Sequence, residues 1–198
     1  MSRRTPSGKK FPSKITSRSL ENAALFYLRR YSTSVENLRR VLMRRVNRSA
    51  RAYGTNRDEG LCIIEQILSR FCEAKLLDDL AYASARATSM RQRGASEKRI
   101  RHDLMAKGVA TDKISHVLKE QIEVCPVAEL KAAFIYCRRR RLGPWRSKKR
   151  EEQRTKDIAS LARQGYPVSI ALHIIDAISI EELETVSYTH LRAHETTN

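Results

Sequence analysis

The sequence has no long hydrophobic run. No segment approaches the roughly 20 consecutive apolar residues that span a bilayer. The start Met-Ser-Arg-Arg-Thr-Pro also lacks the apolar stretch of a secretory signal. We therefore expect a cytoplasmic protein that does not associate with membranes.

Residues that favour turns and sheets are also scarce. The 198 residues include 7 glycines, 5 prolines and only 6% aromatic residues, and no run of alternating β-branched residues is present. Ala, Leu, Arg and Glu, which favour helices, are abundant. The composition predicts an all-α protein, and 41% hydrophobic residues suffice for an ordinary core.

Cysteines are few and widely separated. The four are Cys62, Cys72, Cys125 and Cys137, and no pair has the Cys-x-x-Cys spacing of a metal or redox site. Each falls within a predicted helix or at its edge. We expect them to be reduced and mostly buried.

The sequence also lacks a recognisable catalytic constellation. It has no phosphate-binding glycine-rich loop, no nucleophile elbow and no zinc-ligand spacing. Asp78 and Asp79 lie at a predicted helix start, where carboxylates cap free amides. His102 and Asp103 could form part of a metal-phosphohydrolase dyad, but the other ligands are not identifiable. We expect no enzymatic activity, no cofactor and no metal site.

What the sequence does contain is a compact set of helix boundaries in its middle third. Three helices are predicted, with two short joints between them. Asp78 or Asp79 would cap a helix that stops at Gly94, Ser96 a second that stops at Gly108, and Thr111 a third. Such short joints predict a small helical bundle.

This order of signals resembles the RecX family, bacterial regulators of the recombinase RecA. The resemblance covers about residues 19 to 180 and is strongest in the middle unit. The matching residues are Leu77-Asp78-Asp79, Tyr82-Ala83, Arg91-Gln92-Arg93-Gly94, Arg99-Ile100, Leu104-Met105-Ala106-Lys107-Gly108-Val109 and Ile114, Val117 and Leu118. It implies tandem three-helix repeats that form an elongated, curved array.

An internal repeat independently indicates such an array. An offset of 62 residues matches Ser34 with Ser96 and Leu42 with Leu104. A weaker copy of the Leu104 to Gly108 ending follows at Leu161. The predicted segments are a disordered basic arm (1–18), three three-helix units (19–77, 78–124 and 125–185) and a terminal segment (186–198).

The terminal segment resembles one reading frame of a common sequencing adapter, so we expect it to be an assembly artefact that replaces the natural C-terminus. His190 and His194 within it have the i, i+4 spacing of a helical metal site, but no third ligand is near. We therefore do not expect them to bind a metal.

Basic residues dominate the charge. Lys and Arg number 39 against 22 acidic residues, a net charge of +17 that favours an anionic partner. Residues 138–150 alone hold eight basic residues and no acid. The predicted contact residues are Arg91, Arg93, Lys98, Arg99, Arg101, Arg138, Arg139, Arg140, Arg141, Trp145, Arg146, Lys148, Lys149 and Arg150. Trp145 could stack on a base, fill a protein pocket or plug the core between two helices.

The resemblance implies a non-enzymatic regulator that binds the groove of the RecA–DNA filament. Such a protein would mainly inhibit RecA and so modulate recombination, DNA repair and the SOS response. We expect a monomer with weak DNA affinity of its own. The alternative is a stand-alone helical DNA-binding protein that acts without RecA, because charge alone does not separate the two.

Overall fold

The computed structural model describes residues 13–181 and 183, and all regular structure in this part of the chain is helical. The predicted all-α class is confirmed. The helices are α1 (Ser17–Leu28), α2 (Val35–Tyr53), α3 (Arg57–Glu73), α4 (Asp79–Gln92), α5 (Glu97–Ala106), α6 (Thr111–Val124), α7 (Ala128–Arg140), α8 (Arg150–Gln164) and α9 (Val168–Asp176), with a short 3-10 helix at Gly143–Trp145. The terminal segment, with His190 and His194, lies outside the described residues.

The chain divides into two compact units, one ending at Asp78 and the other beginning at Asp79. In the first unit, α2 packs along α3 and α1 contacts both. Its core is a set of aliphatic side chains that are almost fully removed from water and recur at the three- and four-residue spacing of a helix face. The largest are Leu20, Leu38, Leu42, Ile64, Ile67 and Leu68.

The second unit contains two helix sets, α4–α6 and α7–α9, each around its own core. In the first set α4 and α5 both pack on α6, and in the second α7 and α8 pack on α9. Helix α4 also packs on α7, which joins the two sets. The core residues of the first set include Ala83, Ile100, Leu104, Ile114 and Leu118, and those of the second Ala133, Cys137, Leu161, Ile174 and Ile175.

The repeat with an offset of 62 residues is visible in the helix starts. Ser34 and Ser96 are both N-caps, and each side chain accepts the backbone N–H three residues later, at 3.1 Å. The two helices end differently. Helix α5 stops before Gly108, which takes a left-handed backbone at φ +75°, whereas Val46 at the equivalent position lets α2 continue to Tyr53.

Two predicted boundaries are wrong. Thr111 was expected to cap α6, but the cap position is Ala110, whose carbonyl accepts the Ile114 N–H at 3.0 Å, and Thr111 is the first helical residue. The predicted arm (1–18) overlaps α1, which begins at Ser17. The Ile15 N–H donates to the Ser49 side chain at 3.2 Å, and this contact ties the start of α1 to α2.

The structure also bears on two features noted in the sequence, the lack of long hydrophobic runs and the placement of the cysteines. Among the residues described, no helix is both long and apolar enough to cross a membrane. The four cysteines form no disulfide with a described residue and lie in helices or at a helix end, but the expectation that most are buried is wrong. Cys62 and Cys72 are exposed, Cys125 is half-buried and only Cys137 is buried.

Candidate interaction surface

The end of α4 lies directly against the backbone of α7. Gly94 follows α4 with a left-handed backbone at φ +76°, which glycine adopts without strain. A Cβ atom at this position would lie 2.7 Å from the Tyr136 backbone N and 2.9 Å from the Ala132 carbonyl oxygen. Gly94, predicted only as a helix stop, therefore also permits the close approach that joins the two helix sets.

Arg91 supplies the charged part of the same joint. It is only 9% exposed, and its guanidinium forms an ion pair with Glu129 of α7. The Glu129 carboxylate also accepts the Glu97 N–H, at 2.9 Å and 3.2 Å from its two oxygens. Arg91 was predicted as a contact residue for a partner. In the structure its side chain is mostly enclosed within the second unit, and its charge is paired with that of Glu129.

Further hydrogen bonds cross the joint from the start of α5 to the end of α8. The Ser96 hydroxyl donates to the Gln164 carbonyl at 2.5 Å, and Arg99 Nη1 donates to the Gln164 side-chain oxygen at 2.7 Å. The Tyr166 hydroxyl donates to the Gly94 carbonyl at 3.0 Å, and its burial raises the pKa of that phenol. These contacts fix the orientation of the two helix sets within the second unit.

The turn between α7 and α8 is anchored by a buried carboxylate. Asp157 is 2% exposed and accepts the Gly143 N–H at 3.0 Å. It also accepts both Nε and Nη2 of Arg146, at 3.1 Å and 2.7 Å, and these hydrogen bonds raise the pKa of that guanidinium. Arg146 was predicted to contact a partner, but here it fixes the turn.

Trp145 lies in the same turn and is half-buried. Its ring meets Phe134 edge to face, with 4.9 Å between the ring centroids, beside the core of α7–α9. Of the three roles that the sequence left open, the structure shows the core plug.

Three more of the predicted cations have partners within their own unit. Arg101 pairs with Glu97 at 3.1 Å, and Lys149 pairs with Glu152 at 3.3 Å. Arg150 Nη2 donates to the Ile175 carbonyl at 2.9 Å. These side chains stabilise helix ends and contacts between helices, so less of their charge is free for a partner than the sequence suggests.

The remaining predicted cations are exposed and form no ion pair with any described residue. They are Arg93, Lys98, Arg138, Arg140, Arg141 and Lys148. Arg139 Nη1 donates to the Arg93 carbonyl at 2.6 Å, which brings the end of α4 next to the end of α7. We call Arg93 and Arg138–Arg141 the α7 basic end. Through this hydrogen bond, predicted contact residues at the end of α4 meet predicted contact residues at the end of α7.

The suspected metal dyad has another explanation. Asp103 forms an ion pair with Arg86 of α4, and this hydrogen-bonded partner lowers the pKa of the Asp103 carboxyl. His102 is exposed. Within the described residues, no group of three or more His, Cys, Asp or Glu side chains could hold a metal ion.

Sequence reasoning missed Glu129 and Asp157. Glu129 gave no signal, because an acid in the first turn of a helix is ordinary. Asp157 did give one. With an offset of 57 residues, Leu104 matches Leu161 and Gly108 matches Gly165, so Asp157 occupies the register of Ile100. An acid at a position that is a buried aliphatic residue in the preceding set indicates a buried carboxylate that needs hydrogen-bond donors near it.

The comparisons with known proteins agree with this architecture. Residues 78–118 match the family model of the second three-helix domain of RecX. The chain is 40% identical over 172 residues to the regulatory protein RecX of Myxococcus xanthus, an alignment that covers 86% of this chain and 91% of that protein. The chain belongs to the RecX family. The resemblance found in the sequence is confirmed.

Other RecX-family members align with the same chain. The regulatory protein RecX of Agrobacterium fabrum is 30% identical over 175 residues, which cover 86% of this chain and 90% of that protein. The one from Thermobifida fusca is 29% identical over 123 residues, 62% of each chain. No solved structure matches. In this RecX-family chain, the matched segment 78–118 contains Arg91 and Gly94, whose partners lie in α7.

Proposed function

We propose that this chain regulates RecA by binding the RecA–DNA filament, mainly as an inhibitor and without catalysing a reaction. The observation that carries the proposal is the 40% identity to a regulatory protein RecX across 91% of that protein's length. Regulation of RecA then affects recombination, DNA repair and the SOS response. We propose that the protein acts as a cytoplasmic monomer.

The α7 basic end supplies the contact surface in this proposal. Its arginines are exposed and lack carboxylate partners among the described residues, so binding an anion does not first require breaking an ion pair. Arginine binds phosphate or carboxylate groups through two parallel hydrogen bonds. A RecA–DNA filament contains DNA phosphates. A protein lodged in the filament groove through such contacts would obstruct filament growth and strand exchange.

The proposal assigns no cofactor, metal or chemical step to the protein. Asp103, the acid of the suspected dyad, forms an ion pair with Arg86. Any loss of ATP hydrolysis would therefore arise in RecA, because the filament is altered and not because this chain acts on the nucleotide.

The experiment is a titration of the full chain, and in parallel a version ending at Thr185, into RecA on single-stranded DNA while ATP hydrolysis is followed. We expect inhibition at amounts well below one molecule per RecA. Binding to bare DNA is measured at the same salt concentration, because DNA affinity falls steeply with salt. Tight binding to bare DNA without inhibition of RecA would contradict the proposal and favour the stand-alone DNA-binding protein.

A further inference from the structure

Helix α2 carries a row of arginines on the side that faces away from its core. Arg44, Arg48 and Arg51 follow at intervals of four and three residues, which places them on one helix face. All three are exposed. The buried residues Leu42 and Val46 lie on the opposite face. We call Arg44, Arg48 and Arg51 the α2 arginine ladder.

The ladder lies in a segment without acidic residues. Positions 37–57 contain seven arginines and no Asp or Glu. Arg39 and Arg40 find carboxylates outside the segment, in Glu36 and Glu65. The ladder arginines form no ion pair with any described residue, and the one hydrogen bond of the Arg48 side chain goes to the Arg44 carbonyl, at 3.3 Å. No described acid therefore neutralises their positive charge.

Such a row destabilises the helix that carries it, because like charges three or four residues apart repel each other. The N-terminal part of the same helix does not have this problem, since Glu36 pairs with both Arg39 and Arg40. An anionic ligand along the ladder would remove the repulsion and would be held by it.

The surroundings of the ladder favour phosphate over an acidic protein. A surface cavity of about 470 Å³ has Arg44, Asn47, Arg48 and Arg51 as its described walls, all of them hydrogen-bond donors. Protein interfaces are usually centred on aliphatic and aromatic residues, and none of the described residues that line this cavity is of either type. Contacts to a nucleic-acid backbone require only cations and hydrogen-bond donors.

We propose that the α2 arginine ladder binds the phosphate backbone of nucleic acid without reading its sequence. From Arg44 to Arg51 the helix rises about 10 Å, which corresponds to about three phosphates of one strand at roughly 3.4 Å per phosphate along the helix axis. The ladder belongs to the first compact unit and shares no residue with the α7 basic end, which belongs to the second. It goes beyond the proposed regulation of RecA, because it acts on bare nucleic acid.

The test compares two variants of the full chain that lose the same charge. The ladder variant is Arg44→Gln/Arg48→Gln/Arg51→Gln. The control variant is Arg18→Gln/Arg29→Gln/Arg57→Gln, which removes three exposed arginines of the same unit that form no ion pair with described residues. Binding to a labelled oligothymidine and to a labelled duplex of mixed sequence is measured by fluorescence anisotropy over a range of NaCl concentrations.

We expect the ladder variant to bind at least about 10-fold more weakly than the control variant. The slope of log K against log[NaCl] should also become shallower by about 2–3, because each lost phosphate contact removes about 0.7–0.9 from the slope. The variant Arg44→Lys/Arg48→Lys/Arg51→Lys keeps the charge and should keep the slope. Circular dichroism checks that helix content is unchanged, and if the triple variant does not fold, Arg48→Gln alone should reduce the slope by about 0.7–0.9.

Equal affinity and equal slope for the ladder and control variants would overturn the proposal. So would a ladder variant that binds both DNAs normally but no longer binds RecA filaments, because the ladder would then contact protein. Inhibition of RecA ATP hydrolysis is a separate measurement. Its failure would remove the regulatory function without affecting the ladder, and loss of ladder binding to bare DNA would leave the regulatory function standing.

Discussion

The Glu129 carboxylate forms an ion pair with the guanidinium of Arg91, 38 positions earlier in the chain. The same carboxylate accepts the Glu97 N–H at the start of α5. One acid of α7 therefore neutralises a buried cation of α4 and satisfies a free amide of a third helix. In this protein, the Arg-x-x-Gly end of α4 is a docking element for the next helix set as well as a helix stop.

Removal of the Glu129 charge should destabilise the second unit. In Glu129→Gln the side chain still accepts the Glu97 N–H, but Arg91 remains buried without a counterion. Breaking a buried pair in this way costs about 3–5 kcal/mol, and the partial exposure of Glu129 places our expectation at about 3 kcal/mol. Urea unfolding followed by the fluorescence of Trp145, which lies in the same unit, measures the change.

The double variant Arg91→Met/Glu129→Gln is the informative partner of that experiment. It removes the unpaired cation along with the acid, so we expect it to be more stable than Glu129→Gln alone. The single variant Arg91→Met completes the comparison. If the stability losses of Arg91→Met and Glu129→Gln add up to the loss of the double variant, the ion pair does not couple α4 to α7.

Gly94→Ala should be more damaging than an ordinary change of a left-handed glycine. Its Cβ would meet the backbone of α7 at 2.7 Å and 2.9 Å, so strain and a steric clash add together, and we expect a loss of at least about 2 kcal/mol. Gly54→Ala is the matched control, because Gly54 also has a positive φ but has nothing within 4 Å of the added Cβ. Its cost should be about 1 kcal/mol. Equal losses in the two variants would rule out the close approach.

Leu104→Ala should cost about 2–5 kcal/mol, because the side chain is fully buried and its removal leaves a cavity. The neighbouring Met105 is 53% exposed, and Met105→Ala should change the free energy of unfolding by less than about 0.5 kcal/mol. Denaturant unfolding of both variants compares the two faces of α5. A larger loss for Met105→Ala would mean that the opposite face of α5 packs inward.

Burial should protect the thiol of Cys137 and make stability fall at high pH. Its pKa is raised by burial from an ordinary value of 9.0 to about 12. The unfolded chain therefore releases this proton at lower pH than the folded chain, so the contribution is complete below about pH 9 and is lost toward pH 12. Between these values, the free energy of unfolding should fall less steeply in Cys137→Ala than in the parent chain.

The same burial predicts the order of thiol reactivity. With a disulfide reagent near pH 8, the exposed Cys62 and Cys72 should react at once and Cys137 only when the unit unfolds. A Cys137 thiol that reacts as fast as Cys62 in the folded protein would contradict the packing described here.

Neutralising the α7 basic end should abolish the inhibition of RecA without unfolding the chain. The variant Arg138→Gln/Arg140→Gln/Arg141→Gln spares Arg139, whose hydrogen bond to the Arg93 carbonyl joins two helices. Its helix content should match the parent by circular dichroism, whereas its effect on RecA ATP hydrolysis should disappear. The triple variant at Arg18, Arg29 and Arg57 is the control. Full inhibition by the folded α7 variant would remove this surface from the proposal.

Periodicity and capping were sufficient to predict most of the helices and cores. Ser96 caps α5 as predicted, and the residues matched by the offset of 62 positions, Leu42 and Leu104, are both buried, because caps and apolar faces depend on residues within one helix. The charged residues were harder to assign. In the sequence, Arg91 is one of several neighbouring cations that we predicted to contact a partner. Its burial and its pairing with Glu129 depend on how α4 packs against α7.

Prediction of the candidate interaction surface from the sequence meets the same difficulty. Whether a cation is exposed and unpaired depends on acids far away in the sequence, as Arg146 depends on Asp157. Charge counting therefore overestimated the basic surface at residues 138–150. It also did not single out the arginines of α2.

Asp157 also determines how far the helix sets can be exchanged. A protein engineer who copied α5 in place of α8 would place Ile100 in the register of Asp157. The copied helix would have no buried acceptor for the Gly143 amide or the Arg146 guanidinium, so the Gly-Pro-Trp turn would lose its anchor. The repeats in this chain are alike in their cores but are not interchangeable modules.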